Sequence, residues 1–333
     1  MDPKRAATLL ATATIALLLT AIALTGCEKP PPTPVTLRIA VFQSIDFLPY
    51  YVIQDQGFDK KNGLRFEATQ VAGGAAVIDA IAAGTVDMGS HAGITPVLVA
   101  VERGLIPEKV VAVAANAFAD RDHRGVGVIA AHTVRSWKDL EGKQIGVVDR
   151  NSVNAAVMDA RLKQEGVRGY SYVHLLMSNQ GLAVAGGNVA AAAMIEPYVT
   201  QSLLRGDGKL LDWIVGGPPL ERMQFGSIVF SAEFHRRNPE GVKAFLRANL
   251  AAVRWINEHP DEARLVLVRR LNLSAEVASK VNLFHWPMDA RSDPALNDRT
   301  QQLLLETGTL KRPVDISRLH DETLLAEVLK EKR

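Results

Sequence analysis

Five polar clusters each stand directly after an apolar β-type run, where a chain turning from strand into helix can present side chains to a small molecule. Gln43-Ser44-Ile45-Asp46 follows Thr36–Val41, Ser90-His91 follows Val86–Gly89, and Asn116 follows Val110–Ala114. Asp149-Arg150-Asn151-Ser152 follows Gln144–Val148, and Glu196-Pro197-Tyr198 follows Ala190–Met194. Hydroxyls, amides, an imidazole and carboxylates at strand ends are the usual equipment for hydrogen bonding a guest. Each cluster also has a structural use. Ser44, Asp46, Asn151 and Ser152 suit helix N-caps, and His91 could be satisfied by local backbone. Gly73-Gly74-Ala75-Ala76 opens a helix with bare backbone N–H groups, a cradle for an oxyanion.

Bond-making chemistry has less to work with. The chain contains no GxSxG, HExxH or phosphate-loop motif. Ala119–Gly125 (ADRDHRG) gathers carboxylates and a histidine without a partner pair at helical spacing, so it reads as a solvated loop and no metal site is expected. The one cysteine of 333 residues, Cys27, allows neither a disulfide framework nor a thiolate cluster. With 38 basic against 36 acidic residues the formal charge is +2, too balanced for a nucleic-acid partner.

Cys27 has a different reading. Lys4 and Arg5 precede an apolar run from Ala6 to about Leu24, the layout of an export signal. An uncleaved membrane-spanning helix is the alternative, although Thr8, Thr12, Thr14 and Thr20 dilute the run. Leu24-Thr25-Gly26-Cys27 resembles a bacterial lipobox, which implies cleavage before Cys27 and lipidation of its thiol. Residues 1–26 are then a signal peptide, and 27–34, with four prolines, form an extended tether.

The elements that must position the polar clusters alternate. Short β-rich runs, including Leu64–Ala68, Val126–Ile129, Ser171–Val173 and Ser227–Phe230, are separated by amphipathic stretches near 48–56, 75–83, 95–102, 153–165 and 197–204. This is the rhythm of α/β units. The last third is mostly helical. Asn238 as N-cap, Pro239 in the first turn and a face of Val242, Phe245, Leu246, Leu250, Val253 and Ile256 predict a long helix ending at Pro260.

Three segments together resemble a known family: "FLPYYVIQDQGFDKKNGLRFEATQVAGGAAVIDAIAAGTVDMG", "SWKDLEGKQIGVVDRNSVNAAVMDARLKQEGV", and "AAAAMIEPYVTQSLLRG" with "FGSIVFSAEFHRRNPEGVKAFLRANLAAVRWI". They are similar to solute-binding proteins of ABC importers in the nitrate, sulfonate, taurine and thiamine-precursor-pyrimidine branch (NMT1/THI5-like). The resemblance implies an α/β fold of two lobes, of the type II-like periplasmic-binding-protein kind, with a ligand cleft between them. Lobe 1 would be 35–124 plus 230–333 and lobe 2 would be 125–229. Two crossover hinge strands near 125–129 and 226–230 would join the lobes, with Gly125, Gly127 and Gly226 either absorbing rotation or simply turning the chain.

It also implies a non-enzymatic monomer without cofactor. Such a protein is held at the cell envelope by its lipid, faces the periplasm or exterior, and passes a small solute to a permease and its ATPase. A ligand-presenting sensor is the alternative. Enzymes on this scaffold need cysteines that are missing after Cys27. The implied ligand residues are Ser44, Asp46, Tyr50, Ser90, His91, Asn116, Asn151, Ser152, Glu196 and Tyr198. Phe47, Tyr50 and Tyr198 could stack on a ring or pack the lobes, and Trp286 could reach the cleft or pack. Asp46 and Glu196 would oppose a bare anion unless helix N-termini or Arg150 outweighed them, so a neutral or partly cationic heteroaromatic suits the cleft as well as an anion does.

Overall fold

The computed structural model describes residues 33–104 and 109–331; the signal segment, Cys27 and most of the tether lie outside the described residues. β1 (Val35–Val41) runs through a 3-10 turn (Ile45–Phe47) into α1 (Leu48–Asp55) and the short α2 (Phe58–Lys61). β2 (Leu64–Gln70), α3 (Gly74–Ala82), β3 (Met88–Gly93), α4 (Ile94–Glu102), β4 (Val110–Ala115) and β5 (Phe118–Ala119) follow. Next come β6 (Val126–Ala130), β7 (Gln144–Val147), α5 (Val153–Gln164), β8 (Ser171–His174), α6 (Met177–Ala185), β9 (Ala191–Ile195), α7 (Tyr198–Arg205) and β10 (Lys209–Val215). β11 (Met223–Gln224), β12 (Gly226–Ser231), α8 (Ala232–Arg237), α9 (Pro239–Glu258), α10 (Pro260–Leu271), α11 (Ala275–Lys280), α12 (Pro294–Glu306) and α13 (Thr323–Lys330) complete the chain.

Two five-stranded sheets define two lobes. The first has the order β2-β1-β3-β12-β4 and the second β10-β6-β9-β7-β8. β1 is parallel to β2 and β3, and β7 is parallel to β8 and β9, whereas β12 and β6 run against their neighbours. The inner strands are buried on both faces. β9 (AAAMI) and β6 (VGVIA) have every residue buried, which is why they read as unbroken apolar runs.

β5 and β11 pair antiparallel as a two-stranded ribbon, where the chain leaves the first sheet after β4 and returns to it at β12. This ribbon is therefore the crossover, a few residues before each segment expected from the sequence. β6 belongs to the second sheet and β12 to the first, so a boundary at 229/230 would cut through a strand. Gly125, Gly127 and Gly226 all stand where a side chain would crowd its neighbours. A Cβ on Gly125 would lie 2.7 Å from Val215 Cγ1, one on Gly127 would lie 3.1 Å from both Trp213 and Val199, and one on Gly226 would overlap the His91 ring.

The C-terminal helices also depart from a simple closure of lobe 1. α12 packs on α4 of the first lobe and α5 of the second, and α11 packs on α7. α9 spans the predicted helix, but Asn238 makes no side-chain cap; Pro239 alone marks the start. Among the described residues no helix is long and apolar enough to cross a membrane.

Candidate ligand cleft

A cavity of about 290 Å³ is walled by both lobes. The first lobe contributes Phe42, Asp46, the start of α3 (Gly73–Ala76) and His91. The second contributes the loop into α5 (Asp149, Asn151–Asn154) and the start of α6 at Met177. Phe225, just before β12, completes the apolar wall. In both sheets these residues stand at the carboxyl ends of parallel strands, where loops open into helix N-termini.

The first-lobe wall is built around a buried acid–imidazole pair. Ser44 fixes the turn by accepting the Asp46 N–H on its Oγ (3.5 Å). Asp46 Oδ2 lies 3.3 Å from His91 Nε2, and both side chains are almost fully buried. Asn116 locks the arrangement from behind: its Nδ2 donates to the carbonyls of Ser90 (2.9 Å) and Asp46 (3.1 Å) and lies 3.1 Å from His91 Nδ1. Two carbonyls take the two amide hydrogens and so fix the nitrogen of Asn116 on the side of the imidazole. The His91 ring stacks on Phe225 (5.9 Å between centroids) and meets Phe42 and Phe47 edge-on. Burial raises the Asp46 carboxyl to about 7 and lowers the His91 imidazole to about 3, because each charged form loses its hydration. Asp46 Oδ1, Ser90 Oγ and Asn116 Oδ1 are buried without a hydrogen-bond partner.

Ser90 and His91 lie in β3 itself, not in a loop beyond it. The small residues from Gly89 to Gly93 hide the strand in the sequence, yet they are needed there. A Cβ at Gly89 would lie 2.5 Å from Val77 Cγ1, and the returning β12 extends the ladder to Gly93.

The second-lobe wall caps its own helix. Ser152 Oγ accepts from Ala155 N–H (3.3 Å) and donates to Asp149 O (2.6 Å), while Asp149 Oδ1 accepts the Asn151 N–H (2.6 Å). The N-terminus of α3, by contrast, has Gly73 before it and no side-chain cap. No Lys or Arg is among the described residues lining the cavity. Arg150, a candidate counter-charge in the sequence, lies 4.3 Å over the Tyr172 ring instead.

Several expected ligand residues stand elsewhere. Tyr50 faces the core, with ring centroids 5.3 Å from Phe66 and 5.6 Å from Tyr51, because α1 buries that side against β2. Ser44, Ser90 and Asn116 support the wall without lining it. Glu196 accepts from Thr200 N–H (3.0 Å), Thr200 Oγ1 (2.8 Å) and Asn282 N–H (3.2 Å), outside the cavity; burial raises its pKa. Trp286 packs beside Phe284. Phe42, Phe225, Asn154 and Met177 line the cavity without having been singled out by sequence reasoning. The Asp120–His123 turn is self-contained, Asp120 Oδ1 accepting from the N–H groups of residues 122 and 123.

The lobes touch at several polar points, among them Lys163 Nζ donating to Glu306 O (3.4 Å). Tyr198 donates its hydroxyl to Gln43 O (3.2 Å), Arg103 donates to Asn151 Oδ1 (3.2 Å), and Asn282 N–H donates to Glu196. A small cavity held between two lobes at a ribbon crossover is the arrangement of the two-lobe periplasmic-binding-protein fold.

The comparisons agree with this class. The chain belongs to the NMT1/THI5-like family, whose model matches residues 44–263. A ligand-binding component of an ABC-type import system from Staphylococcus aureus with zinc bound aligns with TM-score 0.75 at 14% identity, covering 88% of this chain and 98% of its own. The periplasmic nitrate-binding protein NrtA from Synechocystis PCC 6803 aligns with TM-score 0.75 at 15% identity, covering 91% and 90%. The desulfurization enzyme DSZB aligns with TM-score 0.67 at 16% identity, covering 90% and 99%. No curated protein matches. Among the described residues no group of three or more His, Cys, Asp or Glu side chains is placed to hold a metal ion.

Proposed function

We propose that this protein captures a small solute between its lobes and hands it to the permease and ATPase of an ABC importer, acting as a monomer without chemistry on the solute. It is held at the cell envelope by lipid on Cys27, facing the periplasm or exterior. The observation that carries the reading is the cavity itself: it is shared by both lobes, and polar contacts between the lobes close around it. A solute placed there touches both lobes only when they are together, so its binding free energy favours the closed form. Family membership supports the same reading.

Asp46 and His91 are the buried acid and imidazole of the cavity wall. His91 Nε2 lies 3.3 Å from Asp46 Oδ2 and Nδ1 faces Asn116 at 3.1 Å, which supports a positioning role for the pair. The test is calorimetric titration of solute-stripped protein with the solute released from native protein, with mass analysis of the solute after prolonged incubation. One site per chain and an unaltered solute are expected. A changed product, or no binding at all, would overturn the proposal.

A further inference from the structure

The cleft opens at the carboxyl ends of the parallel strands, and the opposite pole of the first lobe has a different character. β1 starts there at Val35, which the chain reaches from Cys27 through residues 27–34. Eight residues at about 3.1 Å each span at most about 25 Å, so this pole stays close to any membrane that holds Cys27 by lipid. Val35 is seated between two basic elements. Its N–H donates to Gly63 O (2.8 Å), which follows Lys60 and Lys61 of α2. On its other side a Cβ on Gly241 would lie 3.1 Å from Val35 Cγ1 and 3.4 Å from the Phe234 ring of α8. Phe234 lines a groove of about 490 Å³ together with Lys109 and Arg236.

Lys60, Lys61, Lys109 and Arg236 are exposed, and none makes an ion pair among the described residues. Lys61 Nζ lies over the Phe58 ring, and Lys109 Nζ donates to Ala82 O (3.3 Å). Arg38 and Arg237 in the same groove are already paired, with Asp87 at 2.6 Å and Glu233 at 2.8 Å. Asp59 and Glu108, their neighbours in sequence, offset part of the four free charges and leave a positive surplus. Charge alone does not single out this face, because Arg135, Lys143 and Arg168 of the second lobe are also exposed without ion pairs among the described residues. The tether does, since it joins the fold here.

We infer that this pole is a docking surface for an anionic phospholipid bilayer, with Lys60, Lys61, Lys109 and Arg236 against its phosphates on both sides of the tether's root. The inference rests on the lipid on Cys27 proposed above and adds a second contact to it. A lipid chain fixes where the protein is held, and flanking cations then fix which face it turns to the membrane. In this pose the cleft, at the other pole, opens away from the bilayer. The contact is between exposed charges, so it is screened by salt and weak enough to be released when the protein moves to a permease.

The experiment follows amide hydrogen exchange of the lipidated chain, its acyl groups first verified by intact mass. The chain is reconstituted into vesicles of phosphatidylcholine alone or with about one third phosphatidylglycerol. Exchange in segments 58–63 and 232–238 is expected to slow about 5-fold or more on the anionic vesicles, the equivalent of one cation's attraction to such a surface. At about 0.5 M NaCl it is expected to return to the rate on neutral vesicles. The triple variant Lys60→Gln, Lys61→Gln, Arg236→Gln is expected to lose the slowing. A matched triple on the second lobe, Arg135→Gln, Lys143→Gln, Arg168→Gln, is expected to keep it, and both should retain the native circular dichroism spectrum. Equal exchange on the two kinds of vesicle, slowing that survives the first triple, or slowing lost equally in the second would overturn the inference while leaving the lipid anchor intact. A chain whose intact mass carries no acyl groups would overturn the reading of Cys27, and the inference with it.

Discussion

Asp46 and His91 meet carboxylate to imidazole at 3.3 Å, from a turn after β1 and from within β3, with one carboxylate oxygen left free toward the cavity. Asn116 Nδ2 stands 3.1 Å from the other ring nitrogen, Nδ1, and holds the imidazole in place from behind. Residues from a turn, a strand and the loop after β4 thus set the position of this carboxyl group.

The pair makes stability depend on pH with opposite signs. The folded-state pKa of Asp46 is raised to about 7, so this group contributes stability at acid pH that is lost as pH rises from about 4 through 7. That of His91 is lowered to about 3, so its contribution is present above about 6.5 and lost as pH falls toward 3. Asp46→Asn removes the Asp46 contribution alone. Denaturant unfolding of solute-free protein should therefore show the variant gaining on wild type as pH rises, reaching roughly 2–4 kcal/mol at pH 8. A difference that stays flat from pH 5 to pH 8 would show that the carboxylate is solvated.

Gly226 is bare because His91 lies against it. Gly226→Ala would place a Cβ inside the space of the imidazole ring, 2.6 Å from Nδ1. We expect a loss of about 1–3 kcal/mol in urea unfolding and a larger loss of solute affinity, since the ring must leave Asp46 and Phe225. Wild-type affinity in this variant would mean that His91 does not shape the cleft.

Tyr198 reaches across to the Gln43 carbonyl, so it stabilises the closed form alone. Tyr198→Phe should raise the solute off-rate about 3–10-fold with little change in on-rate. Stopped-flow displacement is the check.

Replacement of Cys27 tests the tether. Cys27→Ala should move the protein from the membrane fraction to the soluble fraction and remove the mass of the acyl groups from the intact protein. Equal partition of both forms would leave the apolar segment, not the lipid, as the anchor.

Much of this architecture is legible in the sequence, for physical reasons. Doubly buried strands such as β4 and β9 have to be apolar throughout, so they stand out. α9 is bounded by prolines and carries one apolar face over 20 residues. The strands that escape notice are those whose residues answer to tertiary needs. β3 continues through glycines required by Val77 and β12, and the crossover ribbon is two residues per strand. In the site, the turns carrying Asp46, Asn151 and Ser152 can be located from the strand ends, whereas His91 lies within β3. Which side chain of a loop faces the guest depends on distant partners. Ser44 turns into its own cap, Tyr50 turns toward Phe66, and Glu196 turns toward Thr200 and Asn282. Phe225 joins His91 from far along the chain, and local patterning carries no signal of that meeting.

The most direct test of lobe closure over a guest is small-angle X-ray scattering of stripped protein before and after its native solute is restored. The account predicts a larger radius of gyration for the stripped form and a return to the compact curve with one equivalent of solute. Superimposable curves in the two states, with no change in unfolding midpoint, would contradict it.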